Sequence, residues 1–312
     1  LPHKPLNIPT VEAEGHRVTD RRSYWAWGME SQEPTPAKRE AAAKAMSERF
    51  GASLDTVQAR SVEQLDLRPS RITAPDTLSE IVTADTYERA FHTYGHSFRD
   101  RIRKFSGDFQ NPPDLVAYPR NEADVVSLLD WCGGAGYAAI PFGGGSSVVG
   151  GVESPEGYDG VVTLDMTRMD RVLEVDDISR AVRVQGGTLG PLLEAQLKPH
   201  GFTMRHFPQS FEYSTVGGWS VTRAGGHYAT NHTHIDQFVE SVRMVTPAGP
   251  WESRRLPGSG AGPSPDRLAL GSEGILGVVT EAWMRIQGRP RFRASTGVSF
   301  PSLESVSDAA RA

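Results

Sequence analysis

The chain has 312 residues and a mass of 34.0 kDa, with 38% hydrophobic residues and a formal charge of −5 at pH 7, which excludes a disordered polymer and leaves room for about two domains around a sizeable core. The 33 Lys and Arg are outnumbered by 38 Asp and Glu and are spread along the chain, so nucleic acid is not an expected partner. A single cysteine, Cys132, excludes an internal disulfide, and no run approaches the ~20 apolar residues of a membrane span, so a cytoplasmic protein is expected.

Residues 1–36 are polar and broken by prolines, with one aromatic group, Trp25-Ala-Trp27-Gly28. Pro36 to Phe50, rich in Ala, Lys and Glu, predicts a helix. Helix-like stretches follow at Leu78–Ala84 and Tyr87–Tyr94, and then the charged run Phe98–Lys104, expected as a solvated helix face rather than a phosphate site. These make a mostly helical N-terminal region, 1–108. At Asn111-Pro-Pro-Asp114 the texture changes: Leu115–Tyr118 reads as a strand, and Asn121 as the cap of a helix carrying Val125, Val126, Leu128, Leu129 and Cys132 that Gly133-Gly134 stops. Tyr137–Pro141 reads as a second strand, and the order strand, helix, strand predicts a βαβ unit with a parallel pair. Val161–Leu164, Arg171–Val175 and Ala181–Gln185 predict an antiparallel meander. Leu189, Leu192, Leu193 and Leu197 predict a helix stopped by Pro199 and Gly201, and Val242–Thr246 and Val278–Ile286 predict further strands. The chain begins with Leu1, and Leu303, Val306, Ala309 and Ala310 have helical spacing at its end, so it reads as part of a longer protein.

The second strand runs into Phe142-Gly-Gly-Gly-Ser-Ser147. Three glycines after a strand leave a row of amide N–H groups free of side chains, so an anionic oxygen can approach them. No lysine follows Gly145, which disfavours a P-loop, and Val148 stands where a dinucleotide fingerprint needs its third glycine. Gln209-Ser-Phe-Glu-Tyr-Ser-Thr-Val-Gly-Gly218, Thr222-Arg-Ala-Gly-Gly226 and Gly271-Ser-Glu-Gly-Ile-Leu-Gly277 add three more glycine and hydroxyl segments. Four such loops can line an elongated diphosphate ligand with a flat ring at one end; the plainer reading is four tight turns in a glycine-rich β-domain. His227, His232 and His234 with Asp236 have metal-ligand residue types, but no cysteine or second ligand pair closes a tetrahedral site, so no metal is expected. Cys132 lies in an apolar helix stripe and reads as inert core.

In order and spacing, Pro141–Ser147, Ser214–Trp219, Thr222–Gly225 and Gly271–Gly277 resemble the FAD-binding segments of the vanillyl-alcohol oxidase/p-cresol methylhydroxylase superfamily. Within it, Trp25-Ala-Trp27-Gly28, Tyr94-Gly-His96 and the Glu212–Trp219 run look most like the alkyldihydroxyacetonephosphate synthase family and its bacterial homologues. The resemblance implies an α+β fold, with a two-subdomain FAD-binding domain of the p-cresol methylhydroxylase type over 109–287 and the start of a substrate-binding cap over 288–312.

Non-covalent FAD is implied, since 143–147 offer no histidine for attachment. Pro141, Phe142, Gly143, Gly144, Gly145, Ser146 and Ser147 would hold its pyrophosphate. Gln209, Ser210, Phe211, Glu212, Tyr213, Ser214, Thr215, Thr222, Arg223, Ala224, Gly225, Gly271, Ser272, Glu273, Gly274, Ile275, Leu276 and Gly277 would wrap the rest. Thr215 falls where a family threonine approaches the isoalloxazine, and His206 where the family has an active-site histidine. Gln209 replaces a family aspartate, and 226–235 differs from the animal enzymes.

The implied activity is an ether-lipid transferase. It exchanges the acyl group of acyl-dihydroxyacetone phosphate for a fatty alcohol, with flavin N5 holding the substrate carbon and no net oxidation. The alternatives are an FAD-linked 2-hydroxyacid oxidase or dehydrogenase acting on D-lactate or glycolate, and a flavin-binding module whose partner supplies catalysis. A small lipid-like substrate, a homodimer and peripheral membrane contact outside these residues complete the expectation.

Overall fold

A computed structural model describes residues 21–227, 234–256, 260, 262–292 and 294–312. Helix α1 (Pro36–Phe50) forms as expected: Thr35 caps it through Lys38 N–H, Pro36 sits in its first turn, and Gly51 ends it at φ +62°. It buries no residue, so its Ala-, Lys- and Glu-rich composition, not a core, accounts for it. The expected helix at Leu78–Ala84 is instead a 3₁₀ turn, Asp76–Ile81, leading into strand β1 (Val82–Thr83). Helices α2 (Thr86–Phe91) and α3 (Phe98–Ser106) follow. The charged run in α3 is not wholly solvated. Asp100 is buried because it folds back onto Ser97 N–H in a capping box, and Lys104 is fully buried with its Nζ donating to the Phe91 carbonyl.

Strand β2 (Leu115–Ala117), helix α4 (Glu122–Ala135), β3 (Ala138–Phe142) and β4 (Val161–Asp165) build the first sheet, in order β1-β2-β4-β3. Helix α4 runs through Gly133-Gly134 and stops at Gly136, at φ +69°, because only there must the backbone turn left-handed. The strands flanking α4 are parallel, but β4 lies between them rather than opening a meander. Every β4 residue is buried, the pattern of a central parallel strand covered on both faces. Asp114, just before β2, has a fully buried carboxylate that accepts from Arg68, Arg71 and Val161 N–H, tying the N-terminal segment to this sheet.

The hairpin β5 (Val172–Asp176) and β6 (Ala181–Gln185) starts the second sheet. After α5 (Gly190–Leu197), the short β7 (Phe202–Thr203) and α6 (Val216–Thr222), strands β8 (Val239–Thr246), β9 (Gly249–Glu252) and β10 (Val278–Arg285) complete it as β5-β6-β10-β8-β9, all antiparallel. Helix α7 (Asp266–Ala269) precedes β10, β11 (Gln287–Gly288) pairs with β7, and α8 (Leu303–Arg311) buries nothing. One core lies between α4 and the first sheet and takes in Val245 and Val278 of the second; another sits under α5 and α6, centred on Leu193, Met204, Trp219 and Met284. Cys132 is in the first core, where burial pushes its thiol up to about 12 and keeps it protonated. No helix among the described residues is long and apolar enough to cross a membrane.

Candidate functional site

Where the two sheets meet, a cleft of about 330 Å³ opens between the loop after β3, the start of α6 and the turn before β10. Each wall depends on glycine, for a reason the sequence leaves hidden. A Cβ on Gly144 would strike the Tyr213 carbonyl, one on Gly143 the Thr215 hydroxyl, and one on Gly187 the Met166 carbonyl. Gly144 and Gly187 let backbone segments approach each other, and Gly143 makes room for the Thr215 side chain. Gly145, at φ +69°, additionally needs the left-handed region.

The other face of the 143–148 loop carries the chemistry. Arg22 Nη1 donates to the Gly144 carbonyl at 2.6 Å, His96 Nδ1 lies 3.1 Å from the Gly145 carbonyl, and His96 N–H donates to the Ser147 carbonyl at 2.7 Å. In a trans peptide the next N–H points opposite to the carbonyl, so the amides of Gly145, Ser146 and Val148 turn away from this packing, to the side lining the cleft. Among the described residues none of the 143–148 amides donates a backbone hydrogen bond, and the buried Ser147 hydroxyl has no partner. Buried polar groups in folded proteins are mostly paired, so this row of free donors fits an anionic diphosphate.

Across the cleft, Thr215 caps α6 by accepting from Gly218 N–H at 3.2 Å, and Ser214 accepts from the Trp219 indole at 2.6 Å while donating to the Ser210 carbonyl. Met166, Trp219, Val221, Val278 and Val279 give an apolar wall suited to flat rings. The charged group on the lining is Glu273, held at φ +54°, whose carboxyl burial pushes up.

Of the predicted residues, all of Pro141–Ser147 line this cleft, as do Ser210, Ser214, Thr215, Thr222, Ala224, Glu273, Gly274 and Gly277. Gln209, Phe211, Glu212, Tyr213, Arg223, Gly225, Gly271, Ser272, Ile275 and Leu276 stand outside the lining: Phe211 packs on Trp219, Arg223 pairs with Asp236 at 3.0 Å, and Ile275 and Leu276 are exposed. Gly217 and Gly218 prove to be in a helix. The sequence reading missed Met166, Gly186 and Val279, and took in Trp219 only as the end of the Ser214–Trp219 run; the pair Gly186-Gly187 after β6 was the available signal.

His206 is 1% exposed, edge-on to Trp219 at 5.2 Å and tilted against Phe238 at 5.3 Å, behind the cleft wall. Neither ring nitrogen has a hydrogen-bond partner among the described residues. Burial, with His234 adding, pushes it down to about 4, so it is a neutral imidazole at pH 7. His227 and His234 are exposed, Asp236 is taken by Arg223 and Arg267, and His232 lies outside the described residues. Among the described residues no three His, Cys, Asp or Glu gather to hold a metal.

Comparison with known proteins agrees with this geometry. Residues 113–253 match the FAD binding domain family. The chain is 39% identical over 229 residues to the alkyldihydroxyacetonephosphate synthase of Dictyostelium discoideum, covering 73% of this chain and 37% of that one. It is 32% identical over 238 residues to the mitochondrial D-lactate dehydrogenase [cytochrome] of Arabidopsis thaliana, covering 75% and 39%. A solved structure of alkyldihydroxyacetonephosphate synthase superposes with a TM-score of 0.77 at 31% identity, covering 86% of this chain and 54% of that one. The chain thus spans little more than a third of the curated relatives it matches. Its glycine-built cleft, its free loop amides and these likenesses together make it an FAD-binding flavoprotein related to the alkyldihydroxyacetonephosphate synthases.

Proposed function

We propose that the intact protein is an FAD-dependent transferase of the alkylglycerone-phosphate synthase type, exchanging the acyl group of acyl-dihydroxyacetone phosphate for a fatty alcohol. The observation that carries this reading is the row of unpaired amides at Gly145, Ser146 and Val148 facing a cleft with an apolar far wall, in a chain similar to the synthases. Those amides and the Ser147 hydroxyl would hold the FAD diphosphate without a covalent link, and the apolar wall would take the flat rings. Bound flavin would supply the reversible hold on a substrate carbon that exchange without net oxidation requires. His206, behind the Trp219 wall and outside the cleft lining, has one N–H and one lone pair without partners among the described residues, and would hold a proton only where that wall gives access to it. In this proposal 109–287 is the FAD-binding domain, 288–312 opens a substrate cap, and the protein is a cytoplasmic homodimer with peripheral membrane contact made elsewhere in it.

The test is incubation of the intact protein with acyl-dihydroxyacetone phosphate and a labelled long-chain alcohol. Label entering a base-stable ether, with release of one fatty acid per ether formed, is expected. The second reading, an FAD-linked 2-hydroxyacid dehydrogenase, is favoured by the likeness to D-lactate dehydrogenase. Anaerobic bleaching of the flavin by D-lactate or glycolate, with no label in ether, would put that reading in place of the first.

A further inference from the structure

Behind the 143–148 loop, on the side away from the cleft, three basic side chains surround the ring of Phe91. The Arg22 guanidinium lies 4.9 Å from its centroid, the Lys104 ammonium 5.5 Å and the His96 ring 6.5 Å. Arg22 also stacks 4.8 Å from the Tyr213 ring, so it is wedged between the helical segment and the loop opposite. Its Nη1 is used on the Gly144 carbonyl, while its Nε and Nη2 are closed off from solvent without a partner among the described residues. Neither Arg22 nor Lys104 forms an ion pair with a described carboxylate: Asp100 faces Ser97 N–H and Arg103, and Asp165 faces His92 and Thr167. Among the described residues Lys104 donates only to the Phe91 carbonyl, and the two His96 nitrogens face the carbonyls of Ala26 and Gly145.

A buried cation without a counter-ion is costly, and a guanidinium cannot shed its proton. Its neighbours can. Burial, with Lys104 and Arg22 adding, pushes His96 down to about 3, and burial pushes Lys104 down to about 7, leaving Arg22 as the permanent charge of the cluster.

We infer that Arg22 is a positioning residue for the cofactor: it turns the Gly144 carbonyl away from the cleft, which aims the Gly145 amide into it, and it supplies from behind the loop the positive charge that the diphosphate pairs with. This rests on the reading of the cleft as an FAD site. A peptide group one residue thick separates the guanidinium from that face of the loop, so the attraction acts over a short path through a low-dielectric wall. The sequence reading passed over Arg22 because it lies more than a hundred positions from the loop, in a polar stretch outside the Trp25–Gly28 group.

The test uses the intact protein, stripped of flavin, with affinities for FAD and for riboflavin measured by quenching of flavin fluorescence at low and high salt. Riboflavin carries the ring but no phosphate. Arg22→Gln is expected to weaken FAD binding by about tenfold or more while moving riboflavin binding less than about twofold, and to flatten the salt dependence of FAD binding. Arg22→Lys, which keeps the charge, is expected to recover most of the loss; should Arg22→Gln fail to fold, the Lys variant is compared with Lys104→Met, which leaves the Gly144 contact in place. Equal loss of FAD and riboflavin, or FAD binding unchanged from wild type, overturns the inference and leaves the FAD site standing. Wild-type protein that takes up neither flavin overturns both.

Discussion

Replacement of Gly144 by alanine separates two explanations of the glycine loop. An ideal Cβ there would sit on the Tyr213 carbonyl oxygen, 2.5 Å from its carbon and 3.1 Å from the Ser214 Cα. All three atoms are backbone, so no side chain can swing aside, and ordinary contact requires the 213–215 segment to retreat by about 1.7 Å, from 1.7 Å to 3.4 Å. That segment is pinned. Ser214 O accepts from Gly190 N–H, Tyr213 N–H donates to the Ser210 carbonyl, and Thr215 caps α6. The cost should therefore fall in the upper half of the range for an overpacked core, about 2–3 kcal/mol. Gly218 is the control. It lines the same cleft, but its Cβ would meet only the Thr215 hydroxyl at 3.2 Å, and it lies inside α6, where alanine gains about 0.5–1 kcal/mol over glycine. Urea unfolding of the flavin-free protein should show a lowered midpoint at constant slope for Gly144→Ala, and an unchanged or raised midpoint for Gly218→Ala. Flavin binding should fall in both. A Gly144→Ala protein as stable as wild type that has nevertheless lost flavin would refute the backbone-contact reasoning and restore a blocked ligand path in its place.

Acid should destabilise the fold through two histidines. His206 and His96 are pushed down to about 4 and about 3 from an ordinary 6.5, so the unfolded chain binds more protons than the native one below that value, and stability falls as pH drops through this window. Each contributes a slope of up to ~1.4 kcal/mol per pH unit. His206→Phe, which keeps the ring packing and removes two unpartnered nitrogens, should flatten the His206 part of that slope in unfolding midpoints between pH 4 and 6.5; an unchanged profile would disprove the assignment. Asp114→Asn should cost about 2–4 kcal/mol, because Arg68, Arg71 and Val161 N–H would lose a shared buried carboxylate, discounted for the partial exposure of both guanidinium groups. Protease nicking before residue 76 should accelerate in this variant, and a variant as resistant as wild type would refute the tie between the N-terminal segment and the first sheet.

Periodicity and caps written locally were enough for α1, α4, the β5–β6 hairpin and the strand that feeds the glycine loop, because each is decided by residues within a few positions of one another. Gly, Ser and Thr clustered after strands likewise marked most of the cleft lining. What local pattern could not decide was which glycine ends a helix: Gly133 and Gly134 fit an α4 turn, and only Gly136 meets a backbone that has to reverse hand. Nor could it place β4 between β2 and β3, since a continuous apolar run reads the same in a meander as in a covered parallel sheet.

The sequence by itself determined that this chain would mix helices with strands that end in glycine-rich loops, whose amides no side chain covers. Tertiary structure decided that Gly144 lies against the Tyr213 backbone and Gly143 against the Thr215 side chain, that His206 is sealed behind Trp219, and that Arg22 stands against the loop. Those outcomes depend on which surfaces far apart in the chain come to touch, and burial, not residue type, then sets each group's charge and reach.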